Sequence, residues 1–148
     1  MRRCAFAALM MVSAMPAAAV GGEARAQFTV TARVTARASI DSVAQPTQFT
    51  VSAGDVDRGY VDLAAIYRVS SNDPAGYVVR LAPRVGLTRA IEVTGFGSPV
   101  VVRDDVVDVS QPAALRPLDL RLSFRLLLDE AAVPGTYSWP VQLQAYTL

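Results

Sequence analysis

Apolar and polar residues alternate with period two through most of this chain. From Phe28 to Ile40 the even positions are Phe28, Val30, Ala32, Val34, Ala36, Ala38 and Ile40, and the odd positions are Thr29, Thr31, Arg33, Thr35, Arg37 and Ser39. A helix would spread these residues around its circumference, whereas a strand sorts them onto two faces. The pattern therefore predicts a strand over 28–40. The same reasoning predicts strands over 47–53, 60–70, 77–82, 89–94, 100–103, 106–109, 118–128 and 136–147, with a loop over 71–76 and a turn at Val133-Pro134-Gly135.

The expected inward rows follow from the same register. They are Val61, Leu63, Ala65, Tyr67 and Val69; Tyr77, Val79 and Leu81; Leu118, Leu120, Leu122, Phe124, Leu126 and Leu128; and Tyr137, Trp139, Val141, Leu143 and Ala145. Within them Tyr67, Tyr77, Leu120, Leu122, Phe124, Tyr137, Trp139, Val141 and Leu143 are the expected core. Pro140 cannot donate to a ladder, so the last strand should be an edge or carry a bulge there. No helix longer than one turn is expected after the first residues. Strands of this number and spacing predict an all-β, antiparallel β-sandwich with one solvated face to each sheet.

The first residues break the pattern. Arg2 and Arg3 precede an apolar run from Cys4 to Met15 that is too short to span a bilayer, and Pro16 and small residues follow it. This arrangement predicts a secretory signal peptide over 1–26 and a single domain over 27–148. Cleavage fits the small-x-small rule at Ala17-Ala18-Ala19 and at Ala24-Arg25-Ala26, and the second is favoured because alternation starts directly behind it. Cys4 lacks the setting of a lipobox. The expected location is the periplasm, the cell surface or beyond, and no apolar span remains in the mature chain.

Composition narrows the chemistry. Every one of the 14 basic residues is arginine, there is no histidine, and the one cysteine lies in the leader. A mature chain from Gln27 loses three arginines and one glutamate, which moves the net charge from +1 to −1 and leaves no thiol for a disulfide. Nucleophile–base pairs, zinc ligands and Schiff-base lysines are thereby excluded. Arginine and aspartate are interspersed, without the basic stripe that nucleic acid requires. The expectation is a protein that is not an enzyme and holds no cofactor.

Two acidic clusters bear on metal binding. Asp55-Val56-Asp57-Arg58-Gly59, with Asp62 beyond it, lacks the ligand number and distal glutamate of a calcium loop, and reads as a polar turn. Asp104-Asp105 and Asp108 read as a hairpin tip and an outward strand face. Tyr60 and Tyr146 point outward in the same register and are the candidate aromatics for a contact surface.

Residues 27 to 40 are too many for one ordinary strand. At about 3.3 Å per residue they would span roughly 46 Å, against roughly 20 Å for a typical strand. A strand that switched sheets midway would need a bulge, and the parity is unbroken. The alternative is that the front half leaves the domain while the back half is its first strand. Such a free amphipathic segment could complete the open sheet of another subunit.

The opening Gln27-Phe28-Thr29-Val30-Thr31-Ala32-Arg33-Val34, the ending Val133-Pro134-Gly135-Thr136-Tyr137-Ser138, and the middle segment Val69-Ser70-Ser71-Asn72-Asp73-Pro74-Ala75-Gly76-Tyr77 resemble spore-coat-U-like pilins of the archaic chaperone–usher pathway. The chain differs from that pattern in having Ala38-Ser39-Ile40 where members usually carry a cysteine. The resemblance implies an incomplete immunoglobulin-like sandwich lacking its final strand. It implies a periplasmic chaperone and an outer-membrane usher as partners, with like or related subunits joined by strand exchange. Phe28, Val30, Ala32 and Val34 of a donor strand over 27–34 would be the inserted side chains. The competing expectation is a self-contained secreted sandwich that binds a carbohydrate or protein ligand.

Overall fold

The alternating rows become ten strands and one short helix among the described residues. They are β1 (Ala38–Ala44), β2 (Gln48–Val51), α1 (Ala53–Arg58), β3 (Tyr60–Ser71), β4 (Tyr77–Pro83), β5 (Thr88–Thr94), β6 (Val100–Val102), β7 (Val107–Gln111), β8 (Leu118–Leu128), β9 (Gly135–Ser138) and β10 (Val141–Thr147). This is a computed structural model, and it describes residues 29–84 and 86–148. The expected leader over 1–26 and the expected insertion residue Phe28 lie outside the described residues. The chain divides after Arg33, and the fold below is that of Val34–Leu148.

The strands form three antiparallel sheets, giving the all-β sandwich that the alternation predicts. One has the order β1-β3-β8-β5-β6, a second the order β10-β4-β7, and a third pairs β2 with β9. Two prolines mark the points where the chain leaves one sheet for another. Across Gln45-Pro46-Thr47 the partner changes from β3 to β9, and across Trp139-Pro140 it changes from β2 to β4. Proline removes a ladder donor at each point, and the neighbouring backbone compensates. Trp139 N–H donates to the Thr47 carbonyl at 3.0 Å, and Arg84 N–H donates to the Pro140 carbonyl at 2.8 Å.

The core lies between the facing rows of the sheets. In the β3–β8 ladder Leu63 stands opposite Phe124, Ala65 opposite Leu122, and Tyr67 opposite Leu120. Tyr77, Val79 and Leu81 of β4 and Val141 of β10 belong to the same buried cluster. Trp139 is buried beside them, its ring edge-on to Phe124 with centroids 5.2 Å apart at 82°. Of the expected core, Tyr137 and Leu143 are only partly buried and pack against the cluster from its margin.

Four local expectations are corrected. The strand predicted over 28–40 begins only at Ala38 and continues to Ala44, and residues 29–37 join no ladder. The reason is the partner: Ala38 pairs with Ser71, the last residue of β3, so nothing remains for earlier residues to pair with in this sheet. Leu118, expected inward, is 50% exposed, because it opens β8 and a core face thins at the end of a strand. The strand expected over 47–53 stops at Val51.

The fourth correction is the acidic turn, which is a helix of six residues. Ser52 caps it by a reciprocal box: Asp55 N–H donates to Ser52 Oγ at 3.2 Å, and Ser52 N–H donates to Asp55 Oδ2 at 2.8 Å. Gly59 closes it with φ of 77°, a left-handed value that a side chain would resist. Asp55 is thus committed to the cap and to an ion pair with Arg58.

Candidate functional site

β1 ends one edge of the five-stranded sheet, and β10 ends one edge of the three-stranded sheet. No ladder joins them. The two strands nonetheless approach to within 8 Å, Cα to Cα, and the seam between them holds two successive clefts. The first, about 720 Å³, lies between Ala36–Ser39 on one side and Ala145–Thr147 on the other, with Ser70, Ser71 and Asn72 behind. The second, about 390 Å³, lies between Ile40, Ser42 and Gln45 on one side and Trp139 and Val141–Leu143 on the other, with Tyr67 among its walls. Rising numbers on β1 meet falling numbers on β10, so the two edges run antiparallel.

Alternation explains the lining. Ala38 and Ile40 of β1 and Leu143 of β10 pack against the core but remain only half-buried at the sheet edges, and Ala145 beside them is half-buried as well. No ladder hydrogen bonds cross from one edge to the other. The seam therefore leaves two things unfulfilled: half-exposed apolar side chains and the outer backbone edges of β1 and β10.

Two buried polar atoms stand at the second stretch. Tyr67 Oη and Trp139 Nε1 both lack a hydrogen-bond partner. Burial pushes the Tyr67 hydroxyl up to about 12, and the neighbouring indole of Trp139 opposes that rise without forming a bond of normal geometry.

The residues expected to be inserted in a partner are far from core-like here. Val30 is 88% exposed and Val34 is 78% exposed, Ala32 is also exposed, and none lies in a strand. Tyr60 and Tyr146, the expected contact aromatics, are already engaged. Arg125 and Arg58 lie over the Tyr60 ring at 4.5 and 5.4 Å, and Arg80 lies over Tyr146 at 4.9 Å. Sequence reading did not single out Asn72 or the half-buried row Ala38, Ile40, Leu143 and Ala145 as a joint feature. The available signal was Pro140, which required the last strand to be an edge or to carry a bulge there.

The outer faces carry cross-strand ion pairs. Arg68 grips Asp119, Arg80 grips Asp108, and Arg125 grips Asp62, each through two nitrogen–oxygen contacts of 2.8 to 3.1 Å. These pairs stand directly opposite one another in register. The guanidinium hydrogen bonds hold Asp62, Asp108 and Asp119 below the ordinary 3.8, and the cap at Ser52 does the same for Asp55. No group of three metal-ligating side chains is assembled among the described residues, and no described helix is long and apolar enough to cross a membrane.

A pH series on purified protein should follow from these shifts. Folded-state carboxylates with lowered pKa contribute stability that is complete above about 3.8 and lost as pH falls through the lower folded values. The raised Tyr67 acts at the other limit: its contribution is intact below about 10 and lost as pH rises toward 12. Urea midpoints should therefore be flat through neutral pH, fall below pH 4 and fall again above pH 10. A midpoint that changes steeply between pH 5 and 8 would contradict this assignment.

Compared with known proteins, the chain matches no protein-family model, no curated protein and no solved structure.

Proposed function

We propose that this chain is a structural subunit of a surface fibre or pilus, assembled by donation of one subunit's N-terminal strand to the next. The observation that carries this reading is the open seam between β1 and β10. It has half-buried apolar walls and two unpaired strand edges, and the same chain supplies an exposed segment with the matching alternation. Because β1 and β10 lie within 8 Å of each other, a strand laid there would have to part them; it would then add ladder bonds to β10 and cover Ala38, Ile40 and Leu143, which is how strand addition gains affinity and register together. Val30, Ala32 and Val34, with Phe28 before them, are the side chains offered.

On this reading the protein works by assembly, not by catalysis. The leader expected over 1–26 delivers it across the inner membrane, a periplasmic chaperone shields the seam, and an outer-membrane usher exchanges the chaperone for the next subunit. The residue inventory agrees with a non-enzymatic role, since histidine is absent and the mature chain has no thiol or lysine.

Purification of the chain from Gln27 onward tests the proposal. The expected product is a set of multimers that withstand mild detergent and dissociate on heating, together with an unstable single subunit. A monodisperse monomer that folds reversibly and stays monomeric at high concentration would overturn it, and would favour a self-contained secreted sandwich that binds a carbohydrate or protein ligand.

A further inference from the structure

A segment able to fill a partner's seam could equally fold back into its own. We infer that Asn72 is a clamp that holds the chain ahead of β1 out of its own seam and so commits the donor segment to another copy; this rests on the proposed strand donation.

Three hydrogen bonds make the clamp. Arg37 N–H donates to Asn72 Oδ1 at 2.6 Å, Asn72 Nδ2 donates to the Thr35 carbonyl at 3.0 Å, and Asn72 N–H donates to the Arg37 carbonyl at 3.1 Å. Together they occupy the backbone from Thr35 to Arg37, beyond the last ladder pair at Ala38 and Ser71. Asn72 itself is firmly mounted. It begins a turn in which Asp73 is buried, Ala75 N–H donates to Asp73 Oδ1 at 2.9 Å and Asp73 N–H donates to Ser71 Oγ at 3.2 Å. Gly76 then brings the chain to within contact of β7, where even a Cβ would stand 2.4 Å from the Gln111 carbonyl oxygen.

The clamp sits where a fold-back would have to turn. The seam's first stretch is walled by Ala36, Arg37 and Asn72. To enter it from the same chain, the segment must reverse beside β1 through a short hairpin, most simply one of two to five residues. Those residues are 35 to 37, and the clamp's hydrogen bonds take up backbone groups of Thr35 and Arg37 at its two ends. A turn displaced upstream of Thr35 would consume Val34 and lose one of the four apolar side chains. Direction adds to the argument. A hairpin arm runs antiparallel to β1 and therefore parallel to β10, the slightly weaker mode of pairing, whereas a strand from another copy is free to pair antiparallel to β10.

Cysteine pairing in the full exported chain reads the two alternatives directly, because the mature sequence has no thiol of its own. One chain carries Val30→Cys in the donor segment and Leu143→Cys in the seam. With Asn72 intact, oxidation should give a ladder of cross-linked chains on a non-reducing gel. With Asn72→Ala the cross-link should move into the single-chain band, with a change in the ratio of roughly tenfold for the loss of two side-chain hydrogen bonds. Asn72→Asp keeps the acceptor for Arg37 and loses the donor to Thr35, so it should fall between the two. It also decides the matter if the alanine variant yields no protease-resistant product.

An unchanged ladder in both variants overturns the clamp and leaves strand donation standing. A single-chain cross-link with Asn72 intact, or no cross-link at all, overturns the clamp and the proposed function together.

Discussion

Replacing Trp139 with alanine is expected to lower the unfolding free energy by about 3–5 kcal/mol. The side chain is 4% exposed, stands edge-on to Phe124, and sits at the point where the chain passes from β9 to β10. Its removal opens a cavity between the sheets and loosens the switch that Pro140 marks. Total stabilities of about 5–15 kcal/mol make this a large fraction of the whole. The unpaired Nε1 gives a second, opposite contrast. A buried N–H without an acceptor costs about 1–3 kcal/mol, so Trp139→Phe should be milder than its lost volume alone suggests. Urea denaturation of the two variants checks both statements. A loss below about 1 kcal/mol for the alanine variant would show that Trp139 is not part of the core.

Alternation made most of this fold legible. β3 and β8 carry long, regular rows, and their inward faces are those that parity assigns, from Val61 to Val69 and from Leu120 to Leu128. A period-two row has one solution once one face is buried, because a slip of one residue would reverse every side chain. The ends of elements were harder. Leu118 obeys the parity yet lies exposed, since alternation records which face a residue occupies and not whether anything covers that face. Residues 29–37 obey it as well and join no ladder, because pairing depends on a partner that β3 does not extend far enough to supply.

The seam was legible in part for the same reason. The alternation of the proposed donor segment lies within one continuous stretch of sequence and can be read there. The proposed acceptor seam is lined by residues near positions 38 and 143 that only the topology brings together. Asn72 was hidden differently: its role depends on a backbone passing within hydrogen-bond distance, and no side-chain pattern records that. The capping box at Ser52 and Asp55 was available as a spacing but was masked by the acidic residues around it, which favour a turn reading.

The largest functional effect should come from deleting residues 27 to 33. The described part of that segment contributes no strand, and the fold from Val34 onward holds all ten strands. Its removal should therefore change the stability of the single subunit by no more than about 0.5 kcal/mol, as for surface changes that disturb no packing. Assembly should respond in the opposite way. Each donated valine or phenylalanine contributes on the order of 1.5–3 kcal/mol of burial before ordering costs, and deletion removes Phe28 and Val30 together with the backbone that would pair with β10. Under the proposed strand donation, the shortened chain should keep its own seam and still receive a strand, but have none to give. Co-expressed with the intact chain, it should cap growing fibres and shorten them in proportion to its share. Size distributions from sedimentation, read beside a urea titration of the shortened chain alone, separate the two effects. A deletion that unfolds the subunit, with no change in the fibre lengths of mixtures, would mean that the segment acts within its own chain as an ordinary first strand.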